Sequence, residues 1–151
     1  MDSSQPVCRR AATRGDIAAC LDIRDVVFIR EQGVDPALER DGLDDESIHY
    51  LAEIDGWPVG AARVRVLDDR FKVQRVAVLR EARGKGVGEA LMRFLMADLA
   101  AGKQAAGRHF FLSSQSYAVP FYEKLGFSVC SEEYMEAGIA HNDMRAEIGG
   151  S

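Results

Sequence analysis

An α/β (α+β) fold built on one mixed sheet follows from three observations in this sequence. Asp55-Gly56 stands between two alternating apolar runs in "HYLAEIDGWPVGAARVRVL", the mark of a two-residue hairpin turn. A third apolar run, "FKVQRVAVL", follows after the polar turn "DDR". It leads into "REARGKGVGEALMRFLM", where Gly84, Gly86 and Gly88 sit among Arg83 and Lys85 just before a long helical pattern. Consecutive strands flanked by helical segments imply a sheet with helices packed on it.

Taken from the N-terminus, Val7 to Ala12 reads as a short strand. Thr13 and Asp16 have capping-box spacing, and Ile17, Cys20, Leu21, Val27 and Phe28 mark one face of a first helix. Asp35 to His49 is polar, with six carboxylates and one arginine, and reads as a connection. After the three strands and the glycines, Val87, Leu91, Phe94, Leu95 and Leu99 line one face of a second long helix. "HFFLSS" is a short buried strand, and "SYAVPFYEKLGF" a short helix with Pro120 in its first turn and Gly126 at its end. Two last strands cover Ser128 to Met135 and Asn142 to Ile148. The order is β-α-β-β-β-α-β-α-β-β.

With 151 residues, 47% of them hydrophobic, and no repeat or linker, the chain is expected to form a single domain over residues 1–151. Nineteen basic against twenty-four acidic residues, a net charge of −5, argue against nucleic acid as a partner. Cys8, Cys20 and Cys130 are too few and wrongly spaced for a disulfide framework or a zinc site, so no metal is expected. "MDSSQPVCRR" lacks the apolar core of a signal peptide, and no apolar run approaches the ~18 residues of a membrane span. A cytoplasmic protein without a membrane partner is the expectation.

Glycines at a helix start cost about 1 kcal/mol each relative to alanine, so a compensating role is to be sought. The P-loop pattern fails because Leu79 takes its first glycine position and Gly86 follows Lys85. The dinucleotide fingerprint fails because Glu89 stands where its third glycine belongs. The physics beneath those motifs still applies: a helix N-terminus offers unpaired N–H groups and partial positive charge to an anion, and glycines allow close approach. The alternative is a flexible turn carrying solvated basic residues.

"VQRVAVLREARGKGVGEAL" resembles the coenzyme-binding motif of the GNAT superfamily of acetyl-coenzyme A-dependent N-acetyltransferases: a strand, then Arg/Gln-x-x-Gly-x-Gly/Ala opening a helix, here Arg83, Gly86 and Gly88. "QSYAVPFYEKLGF" resembles the family's Asn-x-x-Ala-x-x-Phe-Tyr-x-x-x-Gly-Phe segment at Ala118, Phe121, Tyr122, Gly126 and Phe127, with Gln115 where Asn is usual. The two occur in the family's order and spacing, and the resemblance covers nearly the whole chain. "FIREQGV" and "EAGIAHNDM" are similar to segments of a small bacterial branch.

The resemblance implies a GNAT-like, mostly antiparallel sheet with helices on both faces and a splayed strand pair that takes the coenzyme, acetyl-coenzyme A. Backbone groups of Val76 and Val78 would pair with pantetheine, and Ala77 and Gln115 would be further coenzyme-binding residues. N–H groups from Gly84 through Lys85, Gly86, Val87 and Gly88 to Glu89, beside Arg83, would hold the pyrophosphate. An N–H near Val78 would stabilise the oxyanion. Val76 and Val78 are also ordinary strand core, and Lys124 reads as a solvated helix residue.

Acetyl transfer to an amine needs a base, because an alkylamine of pKa ~10.4 is protonated at neutral pH, and an acid for the thiolate that leaves. The family places a tyrosine acid at Tyr122, whose competing role is aromatic core. For the base, Glu31, Asp41, Asp44, His49, His141 or a water relay are open. Glu31 ranks first because the end of the first helix borders the family's acceptor site, and the two histidines have hydrogen-bonded structural roles as alternatives. The expected function is N-acetylation of a primary amine, small-molecule or peptide, by direct transfer. The alternatives are a hexosamine-phosphate acetyltransferase using Arg63, Arg65 or Arg75, and a non-catalytic coenzyme A sensor. A homodimer is possible, as is common in the superfamily.

Overall fold

Alternation places successive side chains of the three consecutive strands on opposite faces, so a helix is needed on each side to cover them. The computed structural model describes residues 5–149. Among these, β1 (Val7–Arg10), β2 (Ile48–Ile54), β3 (Trp57–Val66), β4 (Arg70–Val78), β5 (His109–Gln115), β6 (Ser128–Val129), β7 (Tyr134–Glu136) and β8 (Ile139–Ala146) form one sheet. Its order is β1-β2-β3-β4-β5-β8-β6, with β7 also paired to β8. Every pairing is antiparallel except β4 with β5.

The helices are α1 (Arg14–Arg24), α2 (Pro36–Glu39), α3 (Val87–Ala100) and α4 (Val119–Glu123). On one face Cys20, Ile23 and Val27 pack on Leu51, Ala61 and Ala77. On the other, Leu91, Met92 and Leu95 of α3 pack on Tyr50, Ala62 and Val64. The two sets of sheet residues interleave along β2 and β3, so α1 and α3 lie on opposite faces. Gly60 lets α3 approach: a Cβ there would meet Val87 Cγ1 at 2.8 Å.

The feature that positions the site is a β-bulge. The β3–β4 register passes from Ala61↔Ala77 to Arg63↔Gln74, so β4 carries one extra residue there. Within it Arg75 takes a left-handed φ of 56°, uncommon for a residue with a Cβ. β4 pairs with β5 only where Arg70–Lys72 meets His109–Phe111. From Val73 on, just ahead of the bulge, the strands part, while β5 continues to pair with β8 as far as Gln115↔His141. This is the splayed pair the resemblance implies.

Several local readings change. Thr13 Oγ1 accepts from the Asp16 N–H at 3.0 Å, but the Asp16 carboxylate binds Arg9 instead of closing a capping box. α1 continues as a wider π-helical segment, Asp25–Glu31, and its buried face is Cys20, Ile23, Arg24 and Val27. The polar connection contains α2, capped by the Asp35 carboxylate, which accepts from the Ala37 N–H at 2.9 Å. The region expected to hold two last strands holds three. Ala137 and Gly138, with φ of 52° and 77°, form a tight turn that folds β7 onto β8. Alanine is a poor turn signal where Asn or Asp would announce φ > 0.

Candidate functional site

At the end of β4 the chain makes a short 3₁₀ turn, Arg80–Ala82, and enters the glycine stretch. Gly84 and Gly86 adopt left-handed φ of 82° and 78°, and Gly86 is the N-cap of α3, with no side chain bonded to the cap. The first-turn N–H groups are therefore left for another acceptor. A cavity of about 260 Å³ opens beside them, lined among others by Val78, Gly84, Gly86, Gly88, Glu89 and Phe121. A Cβ on Gly84 or Gly86 would meet no protein atom within 4 Å, whereas one on Gly88 would touch the Phe121 ring at 3.4 Å. The glycines thus serve two ends: Gly84 and Gly86 shape the turn, and Gly88 seats α4.

Two expected anion ligands behave differently from the glycines. Lys85 is exposed and does not line this cavity. Arg83 lines it, but its Nε donates to the Val78 carbonyl at 3.0 Å and its Nη atoms bind Glu31 at 2.8 and 3.1 Å. Glu31 also binds Arg80 at 3.2 Å. Hydrogen bonding to Arg83 lowers the Glu31 pKa, the wrong direction for accepting a proton near neutrality, and Glu31 lines neither this cavity nor the next. It ties the end of the π segment to the end of β4.

A larger cavity, about 480 Å³, fills the opening between β4 and β5. Val76 and Gln115 line it from the two strands, Tyr122 from α4, and Glu136 and His141 from the β7–β8 hairpin. Ala77 is excluded by alternation, its side chain buried against the α1 face. Tyr122 is fixed edge-on against Phe121 and Phe127, at centroid separations of 4.9 and 5.9 Å. Burial, and secondarily Tyr117, pushes its pKa up to about 12, so the hydroxyl stays protonated. Consecutive residues of α4 therefore line different cavities, Phe121 the one at the glycine turn and Tyr122 the one at the strand opening.

Beneath the larger cavity lies an ionic network that uses up most of the acidic segment. Arg24 and Glu39, each 1% exposed, pair through two bonds of 2.8 and 3.1 Å. Arg24 also binds Asp44 at 2.7 Å. Arg63, fully buried, binds Asp41 at 2.8 Å, Asp44 at 3.1 Å and Gln74 at 2.7 Å. Arg75 reaches Glu39 and Asp41, each at 3.3 Å. Asp41 and Asp44 are therefore anchors with lowered pKa values, Asp41 through Arg63 first, and Asp44 because Arg24 and Arg63 outweigh its burial. His49 is buried, with Nε2 2.9 Å from the Asp44 carbonyl. Periodicity alone did not mark Arg24 or Glu39; the available signal was an arginine at i+4 from Cys20 on the buried face.

The family model described as "Acetyltransferase (GNAT) domain" matches residues 22–148. The chain is 42% identical over 123 residues to "Uncharacterized N-acetyltransferase YjcF" of Bacillus subtilis (strain 168), spanning 81% of this chain and 86% of that one. It is 31% identical to an acyl-CoA N-acyltransferase from Pseudomonas aeruginosa, whose crystal structure matches with a TM-score of 0.75 over 95% of this chain and 99% of that one. An aminoglycoside 6'-N-acetyltransferase complexed with coenzyme A shares the fold, with a TM-score of 0.73 over 96% and 98% of the two chains at 13% identity.

Proposed function

The chain belongs to the GNAT acetyltransferases and is an acyl-CoA N-acyltransferase, and from that premise we propose that it moves an acetyl group from acetyl-coenzyme A directly to a primary amine of a small molecule or peptide. The observation that carries this reading is the presence of two cavities lined by consecutive residues of α4. One faces bare helix N–H groups at the glycine turn, and the other, lined by Tyr122, lies between parted strands.

The turn from Gly84 to Glu89 holds the pyrophosphate through main-chain donors and the partial positive charge of α3. Val76 and Val78 present backbone to the pantetheine arm, with Gln115 on the facing strand. The thioester supplies an activated acetyl group. The Val78 N–H stabilises charge as it develops on the thioester oxygen, and Tyr122 donates to the sulfur as the C–S bond breaks. Glu31 keeps Arg83 and the end of β4 in place. A hexosamine phosphate is disfavoured as acceptor because Arg63 and Arg75 are already bound to Asp41, Asp44 and Glu39, and Arg65 lines neither cavity.

Acetyl-coenzyme A at 100 times its Kd is expected to stabilise the fold by about 2.7 kcal/mol, seen as a rise in melting temperature. Free thiol should appear when primary amines are added. The absence of both a thermal shift and heat by calorimetry would overturn this reading, and binding without thiol release from any amine in a broad panel would favour a sensor.

Gly86→Val is expected to cost about 1–2 kcal/mol of stability, since a side chain at φ 78° is strained whatever the space around it. Its side chain would occupy the anion cavity, so acetyl-coenzyme A affinity should fall by more than about tenfold, or 1.4 kcal/mol. A folded variant that binds as tightly as wild type places the pyrophosphate elsewhere.

A further inference from the structure

Resting on the transfer reaction proposed above, we infer that His141 is its general base and that Glu136 stabilises the imidazolium it becomes. The β7–β8 hairpin brings both side chains to the cavity that Tyr122 lines. The backbone of His141 is held on two sides, paired with Gln115 of β5 and with Tyr134 of β7. Its ring stacks on Tyr134 at a centroid distance of 5.9 Å and 21° between planes. That partner is itself fixed, because the Tyr134 hydroxyl donates to Asp143 at 2.7 Å.

The hydrogen bonding assigns the tautomer. His141 Nδ1 lies 2.8 Å from the Ile139 carbonyl oxygen, which can only accept, so Nδ1 carries the hydrogen. In the neutral ring the lone pair is then on Nε2. Nε2 is 3.9 Å from a Glu136 carboxylate oxygen, too far to be a hydrogen bond. The arrangement is that of a base oriented by its other nitrogen and backed by a carboxylate.

The charged and titratable groups sharing this cavity with His141 are Glu39, Arg75, Tyr117, Tyr122 and Glu136. Glu39 is committed to Arg24, Arg75 is a cation, and burial keeps the Tyr122 hydroxyl protonated at neutral pH. Histidine is the side chain whose ordinary titration falls between pH 5 and 8, where a base for an amine has to operate. The substrate ammonium first gives one proton to His141 Nε2 and becomes the neutral amine that attacks. As the C–N bond forms and the C–S bond breaks, Tyr122 hydrogen-bonds to the departing sulfur, which gains the proton that the attacking nitrogen sheds, and His141 then loses its own proton to solvent.

Two measurements test this. Long-range ¹H–¹⁵N spectra resolve the imidazoles of the three histidines, and the pattern lost in His141→Gln identifies the ring. At high pH it should show the Nδ1–H tautomer; the Nε2–H tautomer would overturn the proposal even if no acceptor had been found. Acetyl transfer to benzylamine, protonated at neutral pH, is then compared with transfer to hydroxylamine, which is largely unprotonated there. His141→Gln should lower kcat/KM for benzylamine about 10²-fold at pH 7, with a much smaller loss for hydroxylamine or as pH rises toward the amine's pKa. Glu136→Gln should give a smaller loss of the same pattern. Equal losses for both nucleophiles at every pH would reduce His141 to a structural residue. Acetyl-coenzyme A binding by calorimetry, unchanged in both variants, separates failure of this inference from failure of the function beneath it.

Discussion

Glu39→Ala is expected to lower folding stability by about 3–5 kcal/mol, the cost of breaking a buried ion pair from one side. The wild-type carboxylate takes both bonds from Arg24, a further one from Arg40, and a contact from Arg75. Burial alone would push the Glu39 pKa up, yet it is lowered, because Arg24 outweighs that penalty. Truncation leaves the Arg24 Nε with no acceptor in a region 1% exposed, while Asp44 still holds Nη1. The loss is therefore mainly the desolvation cost of a stranded guanidinium. Urea unfolding should be followed by circular dichroism, since the single Trp57 is 74% exposed and a poor reporter. A change below about 1 kcal/mol, the range of a surface pair, would mean the network contributes nothing to stability.

The same network sets the acid limb of stability. Glu39, Asp41 and Asp44 all have folded pKa values below their ordinary ones. A depressed carboxylate contributes stability that is present above its unfolded value, near 4, and is lost as pH falls through the lower folded value. The melting temperature should accordingly vary little between about pH 5 and 8 and decline below about pH 4, and Glu39→Ala should flatten that decline.

What could be read in the sequence was what local chemistry dictates. Asp55-Gly56 announces its hairpin because those residues tolerate φ > 0, and Gly84 and Gly86 announce a turn for the same reason. Tyr122 and Gly126 fall within one recognisable segment, and the short helix there has the predicted proline at its start. The bulge beside the sheet opening was not legible, because the left-handed residue is Arg75, held by contacts to Glu39 and Asp41 far away in sequence. The Ala137-Gly138 turn was hidden similarly, and with it the strand pairing that brings Glu136 and His141 to the cavity. Glu31 misled because proximity to the acceptor side is a property of the helix end. Its partners, Arg80 and Arg83, come from a different element. Long-range pairing of charges decides which carboxylates remain free, and no local pattern encodes it.

Tyr122→Phe is expected to lower kcat while leaving acetyl-coenzyme A affinity nearly unchanged. The substitution keeps the ring that packs on Phe121 and Phe127 and removes only the hydroxyl. A positioned acid is worth about 10²- to 10⁴-fold, and the environment of Tyr122 decides where in that range it falls. A hydroxyl at about 12 facing a thiolate with an ordinary pKa of ~8.5 makes outright proton transfer uphill by roughly 5 kcal/mol. In the proposed reaction Tyr122 would act chiefly by hydrogen bonding to the sulfur as negative charge builds, with the sulfur's proton coming from elsewhere. That places the loss near 10²-fold, since water can supply part of the same stabilisation. The high pKa also means that Tyr122 should not limit activity on the alkaline side below about pH 11, so any earlier decline belongs to another group. Single-turnover rates with saturating acetyl-coenzyme A and one amine isolate the chemical step, and calorimetry reports coenzyme affinity. Unchanged single-turnover rates would make Tyr122 a packing residue.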